Sequence, residues 1–139
     1  MIGNDPGAKF LSPNQAGIKS VFVKNISDPA NNGVTLLGTV SAQPCQIKTV
    51  TIIAVTAQTL DLTSAAVKAG TSQVLTLIPA ASALQSDLDA IDKQIAWTGS
   101  IYLPVGGTIV TDLDGTGATA TDLKFIIDYE PVANGGLIS

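Results

Sequence analysis

Residues 123–131 have the sequence LKFIIDYEP, and this stretch indicates the fold class of the chain most clearly. Large apolar side chains occupy every second position, namely Leu123, Phe125, Ile127 and Tyr129. The positions between them are mostly charged, so the pattern predicts a β-strand with one buried face. Pro131 ends this strand because proline has no N–H to donate to a neighbouring strand.

Similar patterns recur upstream of this strand. The segment 46–56, QIKTVTIIAVT, is the strongest of them, since it is rich in β-branched residues and contains neither Gly nor Pro. Further strands are predicted at 18–26, 34–41, 59–63, 72–78, 101–105 and 109–113. Short strands separated by turn signals roughly every ten residues predict a mainly β protein. The expected architecture is an antiparallel β-sandwich, jelly-roll-like, in a single domain over residues 17–131.

One segment has the period of a helix instead. Leu84, Leu88, Ile91 and Ile95 are separated by four, three and four residues, which places them on one stripe of an α-helix. Pro79 precedes the stripe, at a position where a missing N–H costs nothing. The sequence therefore predicts one short amphipathic helix near 80–94, packed on the sandwich.

The composition argues against catalysis. Histidine and arginine are absent, Cys45 is the single cysteine, and charged residues make up 13% of the chain. Histidine is the usual acid–base group near neutral pH, and arginine is the usual clamp for phosphate and reader of guanine. With a net charge of −4, the chain also does not attract nucleic acid. We therefore expect no enzymatic activity, no catalytic residues, no cofactor and no nucleic-acid partner, with Cys45 as a buried, unreactive thiol.

The low charge and the segments 18–26 and 46–56, which carry apolar residues on both sides, predict a homo-oligomer. No apolar stretch is long enough to predict a membrane span, and no signal peptide is visible after Met1, so synthesis in a cytoplasm is expected.

The two ends of the chain are predicted to lie outside the sandwich. Residues 1–16 contain two Pro, two Gly and two Asn and have no apolar period, which indicates an extended arm. Phe10 and Leu11 give this arm an apolar anchor that a neighbouring subunit would cover. Residues 132–139 are predicted as a C-terminal tail.

One loop carries some of the residues of a metal site. Asp112, Asp114 and Asp122 surround a glycine-containing segment that begins like a calcium-binding loop. The match fails at the fifth and twelfth positions, which are Thr116 and Leu123 rather than oxygen-rich ligands. Asp and Gly are also the usual residues of a hairpin turn, so a turn is favoured and no metal is expected.

Three segments give the chain a resemblance to a known group of proteins. They are IAWTGSIYL at 95–103, PVGGTIVT at 104–111 and LKFIIDYEP at 123–131. Together with the Ala-, Thr-, Val- and Ile-rich strands of residues 17–131, they resemble the capsid decoration (cement) proteins and related small virion structural proteins of tailed bacteriophages. The resemblance implies a virion protein, with homotrimeric β-sandwich subunits that bind the major capsid protein or other virion subunits and contribute to capsid stabilisation.

The alternative function is recognition of a carbohydrate or a receptor. A small β-sandwich of a phage fibre or tail could bind a carbohydrate or a receptor if exposed aromatic side chains form a patch. The available residues for such a patch are Trp97, Tyr102 and Tyr129.

Overall fold

In a computed structural model the described residues, 14–27, 33–59, 62–72, 74–115 and 122–139, form nine β-strands. Phe10 and Leu11, on which the predicted arm depends, lie outside these residues. The strands are β1 (Ser20–Ser27), β2 (Gly33–Ser41), β3 (Cys45–Ala54), β4 (Leu62–Gly70), β5 (Leu75–Ile78), β6 (Gln94–Leu103), β7 (Thr108–Gly115), β8 (Asp122–Pro131) and β9 (Leu137–Ile138).

The strands form two antiparallel sheets. The first sheet has the order β1-β8-β3-β6, and the second has the order β5-β4-β7-β2-β9. Strand β1 pairs with β8, β2 with β7, β3 with β6 and β4 with β5, which is the nested pairing of one long hairpin rolled into a sandwich. This arrangement of eight strands is a jelly roll, extended at one edge by β9. The predicted mainly β, antiparallel, jelly-roll-like sandwich is confirmed.

Strand β8 places its side chains as its alternation predicts. Leu123, Phe125 and Ile127 are fully buried, and Tyr129 is 2% exposed, whereas the residues between them are half-buried on the outer face. On β3, Ile47, Val50 and Ile52 pair in register with this row and are fully buried too. Paired residues of antiparallel strands present their side chains on the same face, so these two central strands supply one wall of the core.

The predicted helix near 80–94 is wrong. The segment contains two short 3₁₀ turns, Ala80–Ser82 and Gln85–Asp87, and β6 begins at Gln94. Of the four residues in the apolar stripe, only Leu88 is fully buried, while Leu84 is 41% exposed and Ile91 is 65% exposed.

Backbone pairing explains why this segment is not a helix. The N–H of Ala65 on β4 donates to the carbonyl of Ala83, and the N–H of Ala54 on β3 donates to the carbonyl of Lys93. The segment thus follows the edge of the second sheet and then crosses to the first. The Asp87 carboxylate also accepts a hydrogen bond from the N–H of Leu84 at 3.0 Å, a local bond of the kind that competes with helix continuation.

The short strand predicted at 59–63 is also wrong in extent, because the structure has the longer strand β4, Leu62–Gly70. Ala65, Ala66 and Ala69 dominate this strand, and alanine has a low β-propensity. All three are buried, so small side chains are needed where β4 is covered on both faces.

The C-terminal residues and the first described residues of the chain join the sandwich at one of its ends. Residues 132–139, predicted as a tail, include β9, which pairs with Val40 and Ser41 of β2 and buries Ile138. The described residues of the predicted arm, 14–16, are also bonded to the sandwich, because the N–H of Ala16 donates to the Asn134 Oδ1 at 2.9 Å.

The part of the chain that the structure describes contains no helix with the length and hydrophobicity that a membrane crossing requires.

Candidate functional site

The outer face of the first sheet carries an uncharged row that crosses all four strands. Val23 of β1 lies beside Ile126 of β8, then Thr51 of β3 and Ala96 of β6. Val23 is 49% exposed, and its neighbour on the same face, Val21, is 57% exposed. We call Val21 and Val23 the β1 patch. Two exposed valines on an edge strand form an apolar surface that a single chain leaves in water.

A charged cluster borders this patch. The Asp128 carboxylate lies opposite Val21 and accepts a hydrogen bond from the hydroxyl of Thr49 at 2.7 Å. The ammonium of Lys19 is 3.2 Å from the same carboxylate oxygen, and its side chain is 62% exposed. Because the Lys19 side chain is largely exposed, the ion pair contributes little to stability, and its main effect is to place charge at the margin of the patch.

The outer face of the second sheet has a comparable pair of apolar side chains. Val34 is 51% exposed and Leu36 is 52% exposed, and both belong to β2. They pair with Asp112 and Val110 of β7, respectively, so they share the outer face with those residues. We call Val34 and Leu36 the β2 patch.

A groove of about 450 Å³ lies beside the β2 patch on the same sheet. Lys68 spans it, and its ammonium binds the Asp112 carboxylate at 2.7 Å. Ser64, Thr76 and Asp114 also line the groove. The Asp112 carboxylate is already paired with an ammonium group, and these residues do not form a nucleophile–base pair. The groove thus combines a paired lysine and carboxylate with apolar lining from Ala66, Pro79 and Ala80.

The three residues weighed for a metal do not lie together. Asp112 and Asp114 are two positions apart on β7, in the second sheet, whereas Asp122 begins β8 in the first. The backbone of Asp122 is used in hydrogen bonds with Val55 and Thr56. Among the described residues no group of three His, Cys, Asp or Glu side chains is arranged to hold a metal ion. Residues 116–121, the loop of that hypothesis, are not described.

Cys45 is fully buried at the start of β3. Burial raises the pKa of its thiol from 9.0 to about 11, because the thiolate would lose its hydration. The thiol is thus buried and protonated at neutral pH, as the sequence predicts, and unsuited to act as a nucleophile.

The aromatic residues of the alternative hypothesis lie on different surfaces. Trp97 pairs with Val50 on the inner face, packs against the core and lies across Gly99, where a side chain would collide with its ring. Tyr102 points outward and is 54% exposed, whereas Tyr129 is buried in the core. The three side chains therefore do not form one aromatic platform for a sugar.

Sequence patterns anticipated one of the two patches. The segment 18–26 has apolar residues on both sides, which is the signal of the β1 patch. The β2 patch was missed because a bulge between Leu36 and Gly38 decides which of two adjacent leucines faces outward. Leu37 is 3% exposed and Leu36 is 52% exposed, and only the register distinguishes them.

Comparison with solved structures finds the same fold in a phage capsid. A chain in the acidic stable capsid structure of Helicobacter pylori bacteriophage KHP30 matches with a TM-score of 0.56 and 13% identity, over 89% of this chain and 94% of that chain. The infectious bursal disease virus VP2 subviral particle matches with a TM-score of 0.36 and 15% identity, over 99% of this chain and 43% of that chain. Neither a protein-family model nor a curated protein sequence matches. At this identity, the first likeness establishes a shared fold.

Proposed function

We propose that this protein is a non-enzymatic structural component of a bacteriophage particle. In this role it forms homo-oligomers, with a trimer favoured, and binds the outside of the head as a decoration protein that stabilises the capsid. The observation that carries the proposal is the match with the phage capsid chain, because it extends over nearly the whole of both chains.

The surface chemistry supports an assembly role. Charged residues are 13% of the chain, about half of the usual share, and apolar side chains stand half-exposed on the outer faces of both sheets. Exposed apolar patches on small proteins commonly mark contacts with other proteins. The groove and Cys45 offer no competing catalytic role, since the groove carboxylate is paired and the thiol is buried.

The N-terminal segment is the proposed attachment to the shell. Asn14, Ala16 and Gly17 are hydrogen-bonded to residues 129–135, so the first described residues are held at one end of the sandwich. Phe10 and Leu11 lie shortly before that point and supply the apolar side chains that a capsid surface would cover.

The test uses phage particles from which the gene has been deleted. Purified full-length protein is added back, and heating is followed with a DNA-binding dye that reports rupture of the head. We expect the deleted particles to assemble but to release DNA several degrees earlier, and the added protein to restore the wild-type temperature. If deletion prevents heads from forming, the protein is a shell subunit instead. If purified wild-type particles lack the protein, the structural role is wrong.

Two variants test the arm. Phe10→Ser combined with Leu11→Ser removes the apolar anchor, and Lys9→Ser is the matched control in the same segment. We expect the double variant to co-sediment with deleted particles at least tenfold more weakly than wild type, and the control to bind normally. Equal binding of all three proteins would remove the arm from the attachment.

A further inference from the structure

Four connections and the N-terminal segment meet at one end of the sandwich. Cys45 pairs with Leu103 of β6 and with Pro131 of β8, so the connections that follow β2, β6 and β8 lie together. Gly70, the last residue of β4, pairs with the first residue of β7, which places the connection after β4 at the same end. The N–H of Gly17 donates to the carbonyl of Pro131 at 3.0 Å, so the segment that precedes β1 belongs to this end as well.

This end is built without charged side chains. Its described residues, which we call the uncharged end, are 14–18, 42–44, 71–72, 74, 104–107 and 132–136. None of them is Asp, Glu or Lys. Where the first sheet adjoins them, the charged side chains are two of each sign, namely Lys19, Lys48, Asp128 and Glu130. On the second sheet, Lys68 and Asp112 neutralise each other in an ion pair.

Apolar side chains are exposed at the uncharged end instead. Four of its segments each contain one large apolar side chain that is at least 36% exposed: Ile18, Val74, Val105 and Val132. Covering apolar surface gains about 25 cal/mol per Å², whereas burying a charge is costly unless the charge is paired. A partner that covers this end therefore gains hydrophobic free energy and has no charged side chain of this end to desolvate.

The opposite end of the sandwich is acidic. Asp122 begins β8 there, and its carbonyl accepts a hydrogen bond from the Gln58 side chain. The N–H of Gln58 donates to the carbonyl of Leu88, so the connection between β5 and β6 lies at this end too. The described carboxylates of this end, which we call the acidic end, outnumber the lysines: Asp87, Asp89, Asp92, Asp114 and Asp122 against Lys24, Lys93 and Lys124.

We propose that the uncharged end binds the capsid shell and that the acidic end points away from it. The inference rests on the proposed decoration function and identifies the face that makes the attachment. The partner that fits this face is an outer shell surface with exposed apolar side chains and little charge. Such a contact buries apolar groups on both sides, while the excess carboxylates keep their hydration at the far end.

The N-terminal segment identifies the shell as the partner of this end. The carbonyl of Asn14 accepts a hydrogen bond from the N–H of Gly135 at 2.9 Å, which fixes Asn14 at the uncharged end. Leu11 of the proposed anchor is three residues earlier, and three residues of chain span at most about 11 Å. Strand β8, with ten residues, is about 33 Å long. A shell held by Phe10 and Leu11 is therefore within reach of the uncharged end and out of reach of the acidic end.

Introduced cysteines test which end faces the shell. Ser72→Cys places a thiol at the uncharged end and Ser86→Cys places one at the acidic end, and both serines are exposed. Cys45 is fully buried, so it does not compete for a maleimide reagent at neutral pH. Each variant is labelled free in solution and after co-sedimentation with deleted particles, and mass spectrometry measures the labelling rate. We expect Ser72→Cys to label at least tenfold more slowly on particles than in solution, and Ser86→Cys to label equally fast in both states.

Two substitutions test the contact itself. Val105→Asp and Val132→Asp each place a carboxylate in the uncharged end. Ile91→Asp is the matched control, because Ile91 is 65% exposed and lies between two aspartates of the acidic end. Circular dichroism and light scattering verify that each variant keeps the fold and the mass of wild type. We expect the two valine variants to bind deleted particles at least tenfold more weakly than wild type, and Ile91→Asp to bind normally.

Other results overturn the inference. If Ser86→Cys is protected on particles and Ser72→Cys is not, the orientation is reversed. If Ser72→Cys already labels slowly in solution, a second copy covers the uncharged end. Normal binding by both valine variants places the contact elsewhere. Failure of wild type to co-sediment with deleted particles removes the decoration function together with the inference, whereas wild-type binding without protection of Ser72→Cys removes the inference alone.

Discussion

Replacing Tyr129 by Phe tests whether the N-terminal segment is anchored in the way that the proposed attachment requires. The Tyr129 side chain is 2% exposed, and its hydroxyl donates a hydrogen bond to the Asn14 Oδ1 at 3.1 Å. The substitution removes one oxygen and leaves the packing of the ring in place. It therefore isolates the hydrogen bond that joins the core to the first described residue.

The expected loss follows from the environment of the bond. A protein hydrogen bond contributes about 1 kcal/mol net, within a range of roughly 0.5–1.5 kcal/mol. The Asn14 side chain is only half-buried, so water replaces part of the hydrogen bonding that its carbonyl oxygen loses. We therefore expect the free energy of unfolding to fall by about 1 kcal/mol or slightly less. For a chain of 139 residues the entropy of unfolding is about 0.3 kcal/mol/K, so the Tm should fall by about 3 °C.

The assay is a double-mutant cycle on the free energy of unfolding, measured in denaturant at one protein concentration. Asn14→Gly is the second substitution, because Asn14 has a φ of 68° that glycine adopts without strain. We expect a coupling energy of about 0.5–1 kcal/mol between the two sites. Tyr102→Phe is the control, since its side chain is 54% exposed on the outer face, and it should change stability very little. A coupling energy of zero would mean that the hydroxyl does not hold Asn14.

Two further predictions concern the core. Gly38→Ala would place its Cβ 2.7 Å from Ile138 and 3.1 Å from Phe22, so we expect a loss of about 1–3 kcal/mol in denaturant unfolding; unchanged stability would contradict the packing of β1 and β9 on β2. The pKa of Cys45 is raised to about 11 in the folded state, so the unfolded chain loses this proton first as the pH rises. The contribution of this thiol to stability is therefore complete below pH 9 and declines towards pH 11, and Cys45→Ser should weaken that decline in Tm measurements across this range.

The sequence was sufficient for the two central strands of the first sheet. Strands β3 and β8 were predicted to within two residues at either end, because the apolar residues of β8 alternate and β3 is rich in β-branched residues with neither Gly nor Pro. Strand β4 has neither signal, since both of its faces are covered and alanines replace the usual branched residues. Alternation detects a difference between two faces, and β4 has none.

The predicted helix failed for a different reason. A stripe of four apolar residues with the correct spacing is compatible with a helix, but it does not show which strands the segment must connect. Residues 79–93 must connect an edge of the second sheet to an edge of the first, and the hydrogen bonds to Ala65 and Ala54 fix the segment along that path. Contacts between distant residues thus outweigh a local pattern whose intervening positions include Ser and Asp residues that favour turns.

The positions of the termini and of the patches assign different roles to different parts of the sandwich. Both patches lie along the sides of β1 and β2, on the outer faces of the two sheets. The first described residue, Asn14, is bonded to Tyr129 and Gly135 near the end where β8 finishes. This point of attachment is therefore separate from both patches. In the proposed trimer, three linked N-terminal segments that each bind the shell would bind far more tightly than one. Substitutions that disrupt the oligomer should consequently weaken attachment to the particle even though they do not touch Phe10 and Leu11, whereas the substitutions at Phe10 and Leu11 should leave the oligomer intact.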